Sequence, residues 1–85
     1  MKLDWLITFR SITAAQKGER LLKREDIFCS LQRTPKQLSE RGCGYCLRIR
    51  AEQGMEAVKL LREQKLSYGK VYALEQEGIP RELGL

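Results

Sequence analysis

Apolar side chains alternate with period two in several short stretches of this 85-residue chain, and two stretches of helical spacing interrupt them. Residues 4–9, 27–33, 45–50 and 70–75 have the alternation, or the β-branched and aromatic composition, that is typical of strands. Residues 14–22 and the segment after Gly54 have the apolar stripe of an amphipathic helix. The order βαββαβ predicts an α+β, ferredoxin-like fold, in which two helices cover one face of a four-stranded antiparallel sheet. We expect the other face to be partly open.

The length of the chain is sufficient for one domain with a modest core. We expect this domain to span residues 1–85, with its core at about residues 4–75. Residues 76–85 are rich in glycine and proline, which predicts a surface tail.

Local signals mark where the two helices begin. Ser11 and Thr13 are candidate caps for the first helix, and Thr13 with Gln16 has the spacing of a capping box. Gly54 precedes the pattern of the second helix. Gly18 interrupts the apolar stripe of the first helix, which we attribute to close packing on the sheet.

The charge and the cysteine content restrict the environment of the protein. The net charge is +5, from 16 basic and 11 acidic residues, with a local excess of basic residues between positions 33 and 50. No apolar run approaches the roughly 18 residues of a membrane span, and the first residues lack the cleavage site of a signal peptide. Three cysteines are an odd number, which favours reduced thiols. We therefore expect a cytoplasmic protein.

Two of the cysteines, Cys43 and Cys46, lie in the segment Arg41-Gly42-Cys43-Gly44-Tyr45-Cys46. The C-x-x-C spacing suits a dithiol pair, half of a metal site, or one reactive thiolate beside a spare thiol. A thioredoxin-type dithiol precedes a helix, whereas here a strand pattern follows. A structural zinc site needs four ligands, so three cysteines without histidine would require Glu40 or a second copy of the chain.

Cys43 is the strongest candidate for a reactive thiolate. Gly42 and Gly44 permit unusual backbone angles and the close approach of a partner. Three arginines would favour the charged form of the thiol: Arg33, Arg41 and Arg48. Lowering the pKa by about one unit, or about 1.4 kcal/mol, would raise the thiolate fraction at neutral pH from a few per cent to roughly a quarter.

The other two cysteines have different patterns around them. Cys29 lies on the apolar side of its predicted strand, as a small core residue would. Cys46 should share a side of the third strand with Arg48 and Arg50. We interpret Cys46 as an accessory thiol whose role the residues leave open.

Several segments together resemble a known family. They are Leu6-Ile7-Thr8-Phe9, Ser11, Ala14-Ala15, residues 19–22, Arg33-Thr34-Pro35, Ser39, Gly42-Cys43-Gly44 and Arg48. Over roughly residues 4–75 the chain is similar to the selenium/sulfur carrier-like small domain family. Lys36 stands where an arginine is common in that family, which keeps the charge but loses the guanidinium fork.

The resemblance implies a non-enzymatic carrier without a cofactor. Its cysteine, here Cys43, accepts a sulfane sulfur or selenium atom from a cysteine desulfurase or selenocysteine lyase-type donor and passes it to an acceptor protein. Cys46 is outside the family pattern, and it could resolve a persulfide on Cys43 or have no role.

Two other functions remain open on the residues alone. A basic module could stack nucleic-acid bases on an open sheet face, but aromatic side chains are sparse, so nucleic acid is the less favoured partner. The candidates are Trp5, Phe9, Phe28, Tyr45 and Tyr72. Alternatively, the chain could be a regulatory domain that forms a homodimer and has incidental cysteines. Hydrolase chemistry is disfavoured because histidine and a G-x-S-x-G segment are both absent from the sequence.

Overall fold

The structure, a computed structural model, describes residues 4–35, 44–74 and 80–84. Its elements in chain order are β1 (Asp4–Phe9), α1 (Ile12–Arg24), β2 (Cys29–Arg33), β3 (Tyr45–Arg50), α2 (Ala51–Glu63), β4 (Val71–Leu74) and β5 (Pro80–Leu83). No helix in these ranges is long and apolar enough to cross a membrane. The α+β class predicted from the sequence is confirmed.

All five strands form one antiparallel sheet in the order β2-β3-β1-β4-β5. The predicted number of four strands is therefore wrong. The additional strand, β5, lies in the segment that we expected to be a surface tail, and it pairs with β4 from Leu74–Pro80 to Val71–Leu83. Proline is tolerated at the start of an edge strand because its missing N–H need not join the ladder.

Both helices pack on one face of the sheet and enclose the main core. Alternate residues of the strands point to this face, as their period-two pattern predicts. The largest fully buried side chains of this core are Ile7, Leu22, Ile27, Leu47, Ile49, Val58, Leu61 and Val71. The register of β1 against β3, with Ile7 opposite Leu47 and Trp5 opposite Ile49, places apolar side chains from both strands beneath the helices.

The start of α1 differs in detail from the prediction. Ser11 is the N-cap, and its hydroxyl accepts a hydrogen bond from the Ala14 amide at 3.2 Å. Thr13 lies inside the first turn, so the predicted capping box of Thr13 with Gln16 is wrong. Gly18 packs on the sheet as predicted, because a Cβ at this position would lie 3.0 Å from Phe9 Cζ.

The helix α2 begins earlier than the sequence predicted. It starts at Ala51, directly after β3, and Gly54 is therefore inside the helix. The indole ring of Trp5 lies against Gly54 and occupies the space that a Cβ would need. Gly54 is a packing position and does not mark the helix start.

The strand β2 also begins later than predicted, at Cys29. The backbone N–H of Ile27 donates to the Leu22 carbonyl at 2.8 Å and so belongs to the turn that ends α1. The preceding residue, Asp26, has a φ of 62°, a left-handed conformation that a short polar side chain tolerates.

A second, smaller apolar cluster lies on the sheet face opposite the helices. It consists of Leu6, Cys46 and Tyr72, with Leu74 packed against them. The expectation of a partly open face is confirmed, since Arg48 and Arg50 are exposed on it while the three cluster residues are buried. Cys46 therefore belongs to a core, although it shares its side of β3 with two arginines.

Candidate functional site

The hairpin of β2 and β3 holds the two ends of the segment that contains Cys43. The last pair in the register is Arg33 opposite Tyr45, and the Thr34 amide then donates to the Gly44 carbonyl at 3.1 Å. Cys43 is covalently bonded to Gly44 and lies outside the described residues, as do Arg41, Gly42 and Glu40. The structure thus defines the anchor points of the cysteine segment, Thr34 and Gly44.

Gly44 has the unusual backbone conformation that the sequence predicted for it. Its φ is +144°, a value that side chains with a Cβ rarely adopt. A Cβ on Gly44 would lie 3.5 Å from Thr34 Oγ1 and 3.7 Å from the Phe9 carbonyl oxygen. The chain therefore leaves Cys43 and enters β3 through a position that favours glycine by conformation.

Cys46 is fully enclosed, with 0% of its surface exposed. Its Sγ donates to the Arg33 carbonyl oxygen at 3.8 Å, on the neighbouring strand. Burial raises the pKa of the Cys46 thiol, while the Thr34 hydroxyl and the charge of Arg48 act in the opposite direction. The balance favours a neutral thiol, so Cys46 is a poor nucleophile in the folded chain.

The Thr34 side chain is a component of the site that sequence reasoning missed. Its Oγ1 is buried, and within the described ranges it has no hydrogen-bond partner. The Cys46 thiol donates its own proton to the Arg33 carbonyl, and its neutral sulfur is only a weak acceptor for the Thr34 hydroxyl. Loss of that proton would create a stronger acceptor, because a thiolate accepts a hydrogen bond from a hydroxyl. The Thr34-Pro35 pair was visible in the sequence, but its proximity to Cys46 required the register of β2 and β3.

The two described arginines of the predicted site lie in different places. Arg33 is exposed and adjoins Thr34 at the end of the hairpin. Arg48 lies four residues along β3 from Gly44, about 13 Å at the rise of an extended strand. Its Nε bonds Asp4 Oδ2 at 2.6 Å. The fold brings Arg33, Thr34, Gly44 and Cys46 together, whereas it directs Arg48 to a carboxylate on β1.

Cys29 is a core residue, as the sequence predicted. It is buried on the helix face of the sheet, and its Sγ donates to the Glu19 carbonyl oxygen at 3.8 Å. Burial raises the pKa of its thiol, Glu19 adds to this effect, and Lys23 opposes it. Both described cysteines are thus buried, free thiols.

The aromatic residues do not form a stacking surface on the sheet. Phe9 and Tyr72 are buried, and Trp5 and Tyr45 pack against the main core. Phe28 alone of the five candidate aromatics is exposed, at 67%, and the Arg50 guanidinium lies 5.8 Å from the centre of its ring. Four of the five candidate aromatics thus serve the packing of the two cores.

These features define a class of small α+β domain, in which the glycine-flanked cysteine of the sequence lies between two paired strands and both described thiols are buried. The chain belongs to the family described as "Putative Se/S carrier protein-like", whose family model matches residues 4–73. The match runs from β1 into β4 and leaves out β5. Searches of curated proteins and of solved structures found no match.

Proposed function

We propose that this protein is a carrier that holds a sulfur or selenium atom on Cys43 as a persulfide or perselenide. Membership of the selenium/sulfur carrier-like family supports the proposal, since the matched region includes the Gly42-Cys43-Gly44 segment. The observation that carries it is the burial of both other cysteines, Cys29 and Cys46, with raised thiol pKa values. Cys43 is then the thiol left to perform the chemistry.

The transfer needs only a thiolate and a donor that holds a sulfane atom. The Cys43 thiolate attacks the terminal sulfur of a persulfide on the donor, and a new S–S bond forms. The S–S bond of the donor breaks, and the donor cysteine leaves as a thiolate. The atom moves at the oxidation level of sulfane sulfur, so no external oxidant or reductant is required. An acceptor thiolate repeats the same exchange at Cys43.

The two described ends of the Cys43 segment support this proposal. Thr34 and Gly44 hold the ends of the segment, and the backbone of Gly44 adopts an angle that favours glycine. Arg33 supplies an exposed positive charge at the same end of the hairpin, and Arg41 adds a second in the sequence next to Gly42. Both charges would favour a thiolate at Cys43.

Cys46 would act after the transfer. If local opening exposes its thiolate, attack on the Cys43 sulfur of the persulfide forms a Cys43–Cys46 disulfide and releases hydrosulfide. The buried position and raised pKa of Cys46 make this step slow relative to transfer to an acceptor.

Such a carrier works in a reducing compartment, and we propose the cytoplasm. For the fold, we propose that β1 to β4 and the two helices have the ferredoxin-like arrangement. The strand order supports this arrangement, and β5 extends the sheet.

Intact-mass spectrometry tests the proposal directly. The protein is incubated with a cysteine desulfurase and cysteine, or with a selenocysteine lyase and selenocysteine, and then alkylated. We expect the mass of one sulfur or selenium atom to be added at Cys43 in the native chain and in Cys46→Ser. An unmodified mass, or equal labelling in Cys43→Ser, would refute the carrier function.

A further inference from the structure

We propose that a groove between α1 and the segment after α2 docks an acidic peptide segment of a partner protein. The groove has a volume of about 250 Å³. Its lining residues are Lys17, Arg20, Leu21, Arg24, Gln64 and Leu66. The inference goes beyond the carrier function and stands whether or not Cys43 bears sulfur.

The positive charge of the groove comes from one side of α1. Lys17, Arg20 and Arg24 are three and four positions apart, so they follow one another along the helix surface. All three are exposed, and none of the six lining residues is acidic. In the described parts of the chain, no carboxylate forms an ion pair with any of them.

Some cations outside the groove form ion pairs within the described residues. On α1 itself, Lys23 Nζ lies 3.3 Å from Glu19 Oε2. On the sheet, Arg48 bonds Asp4. The groove therefore concentrates positive charge that no described carboxylate pairs with, and a complementary ligand would be acidic.

Two of the lining residues, Leu21 and Leu66, are apolar, which favours a peptide among acidic ligands. Leu21 is buried, and Leu66 is half-buried against the main core. Gln64, the C-cap of α2, offers an amide that can both donate to and accept from a peptide backbone. Glutamate side chains can pair with the cations while a neighbouring leucine covers the apolar part. Single-stranded nucleic acid is less favoured, because it stacks on aromatic side chains and none lines the groove.

The test measures binding of a fluorescent peptide of alternating glutamate and leucine by anisotropy. A peptide with glutamine in place of glutamate and a single-stranded RNA of equal charge are the comparison probes. We expect the acidic peptide to bind most tightly and to dissociate as salt increases. In nuclear magnetic resonance spectra, the amide shifts should be confined to α1 and to residues 64–66.

Matched charge reversals locate the site. Arg20→Glu should weaken peptide binding about tenfold or more, whereas Lys59→Glu, an exposed position on α2 outside the groove, should change it less than about twofold. Arg20→Gln removes the positive charge without adding a negative one, so it should cause an intermediate loss of peptide affinity. This graded response distinguishes an effect of charge from misfolding. The inference is overturned if both reversals weaken binding equally, if RNA binds more tightly than the peptide, or if no salt-sensitive peptide binding occurs.

Discussion

The Sγ atom of Cys46 donates to the carbonyl oxygen of Arg33 at 3.8 Å, across the pairing of β2 with β3. This contact occurs in a fully enclosed position next to Leu6 and Tyr72. A thiol that has an acceptor and no access to water keeps its proton, so the fold suppresses the nucleophilicity of one member of the C-x-x-C pair.

Replacing Thr34 with valine should raise the free energy of unfolding and lower the reactivity of Cys46. Valine removes a buried hydroxyl that has no hydrogen-bond partner among the described residues, and the free energy of unfolding should rise by about 1 kcal/mol. The same change removes the group that would stabilise a Cys46 thiolate, so the pKa of Cys46 should rise further. Alkylation of Cys46 at alkaline pH, followed by peptide mass spectrometry, should therefore become slower. Thr34→Ser, which keeps the hydroxyl, should react as the native chain does, and faster alkylation in Thr34→Val would contradict this account.

The stability of the protein should fall on the alkaline side because of its buried thiols. The folded pKa values of Cys29 and Cys46 are raised above the ordinary 9.0. The contribution of these thiols to the free energy of unfolding is therefore fully present below that pH. Above it the unfolded chain loses protons that the folded chain retains, and each thiol lowers the free energy of unfolding by about 1.4 kcal/mol per pH unit.

Urea titrations across the pH range from neutral to alkaline would measure this dependence. The double variant Cys29→Ala/Cys46→Ala should show a shallower decline than the native chain, whatever its absolute stability. The comparison cancels the titration of lysines and tyrosines that both proteins share. Parallel curves for the two proteins would show that the buried thiols do not cause the decline.

Gly54→Ala should destabilise the protein, although alanine favours helices. Alanine in a helix interior is better than glycine by about 1 kcal/mol. At Gly54, however, the new methyl group would overlap the Trp5 ring, and overpacking of this kind costs about 1–3 kcal/mol. We expect a lower melting temperature and a change in Trp5 fluorescence.

A control at the next position of α2 isolates the packing effect. Met55 is 60% exposed, so Met55→Ala should change the free energy of unfolding by less than about 0.5 kcal/mol. In Trp5→Phe/Gly54→Ala the smaller ring should reduce the loss below the sum of the single changes. A stabilising effect of Gly54→Ala alone would show that the indole moves freely.

Adjacent residues of β5 should respond differently to truncation. Leu83 packs against the main core, and Leu83→Ala should lower the free energy of unfolding by about 1 kcal/mol or more. Glu82 forms an exposed pair with Lys70 at 3.5 Å, and Glu82→Ala should have an effect below about 0.5 kcal/mol. Chemical denaturation of the two variants checks the contribution of β5. Equal effects would mean that β5 adds little to the core.

Local patterns were sufficient for much of the fold. The predicted first strand agrees with β1 (Asp4–Phe9), and the third agrees with β3 (Tyr45–Arg50). The alternation in β3 follows from one buried and one mostly exposed face, and the apolar run of β1 follows from two buried or half-buried faces. The packing reason for Gly18 was also predicted correctly, since a glycine within an apolar helical stripe indicates close contact.

The errors occurred where a distant residue decides the local structure. Gly54 has the sequence signature of a helix boundary, and only the Trp5 ring explains its place inside α2. The strand β5 contains a proline and two charged residues, so it has a weak strand pattern and is defined by its pairing with β4. The small cluster of Leu6, Cys46 and Tyr72 on the partly open face was not predicted, because three separate strands bring these side chains together.

The sequence by itself determined the order of the first six elements, the glycine-flanked position of Cys43 and the resemblance to the carrier-like family. These depend on neighbours along the chain, or on a motif of contiguous residues. Only the tertiary structure decided that Cys46 is buried, that Thr34 lies beside it and that Arg48 bonds Asp4. Burial and pKa depend on residues far apart in the chain, which the pairing of β1, β2 and β3 brings within a few ångströms.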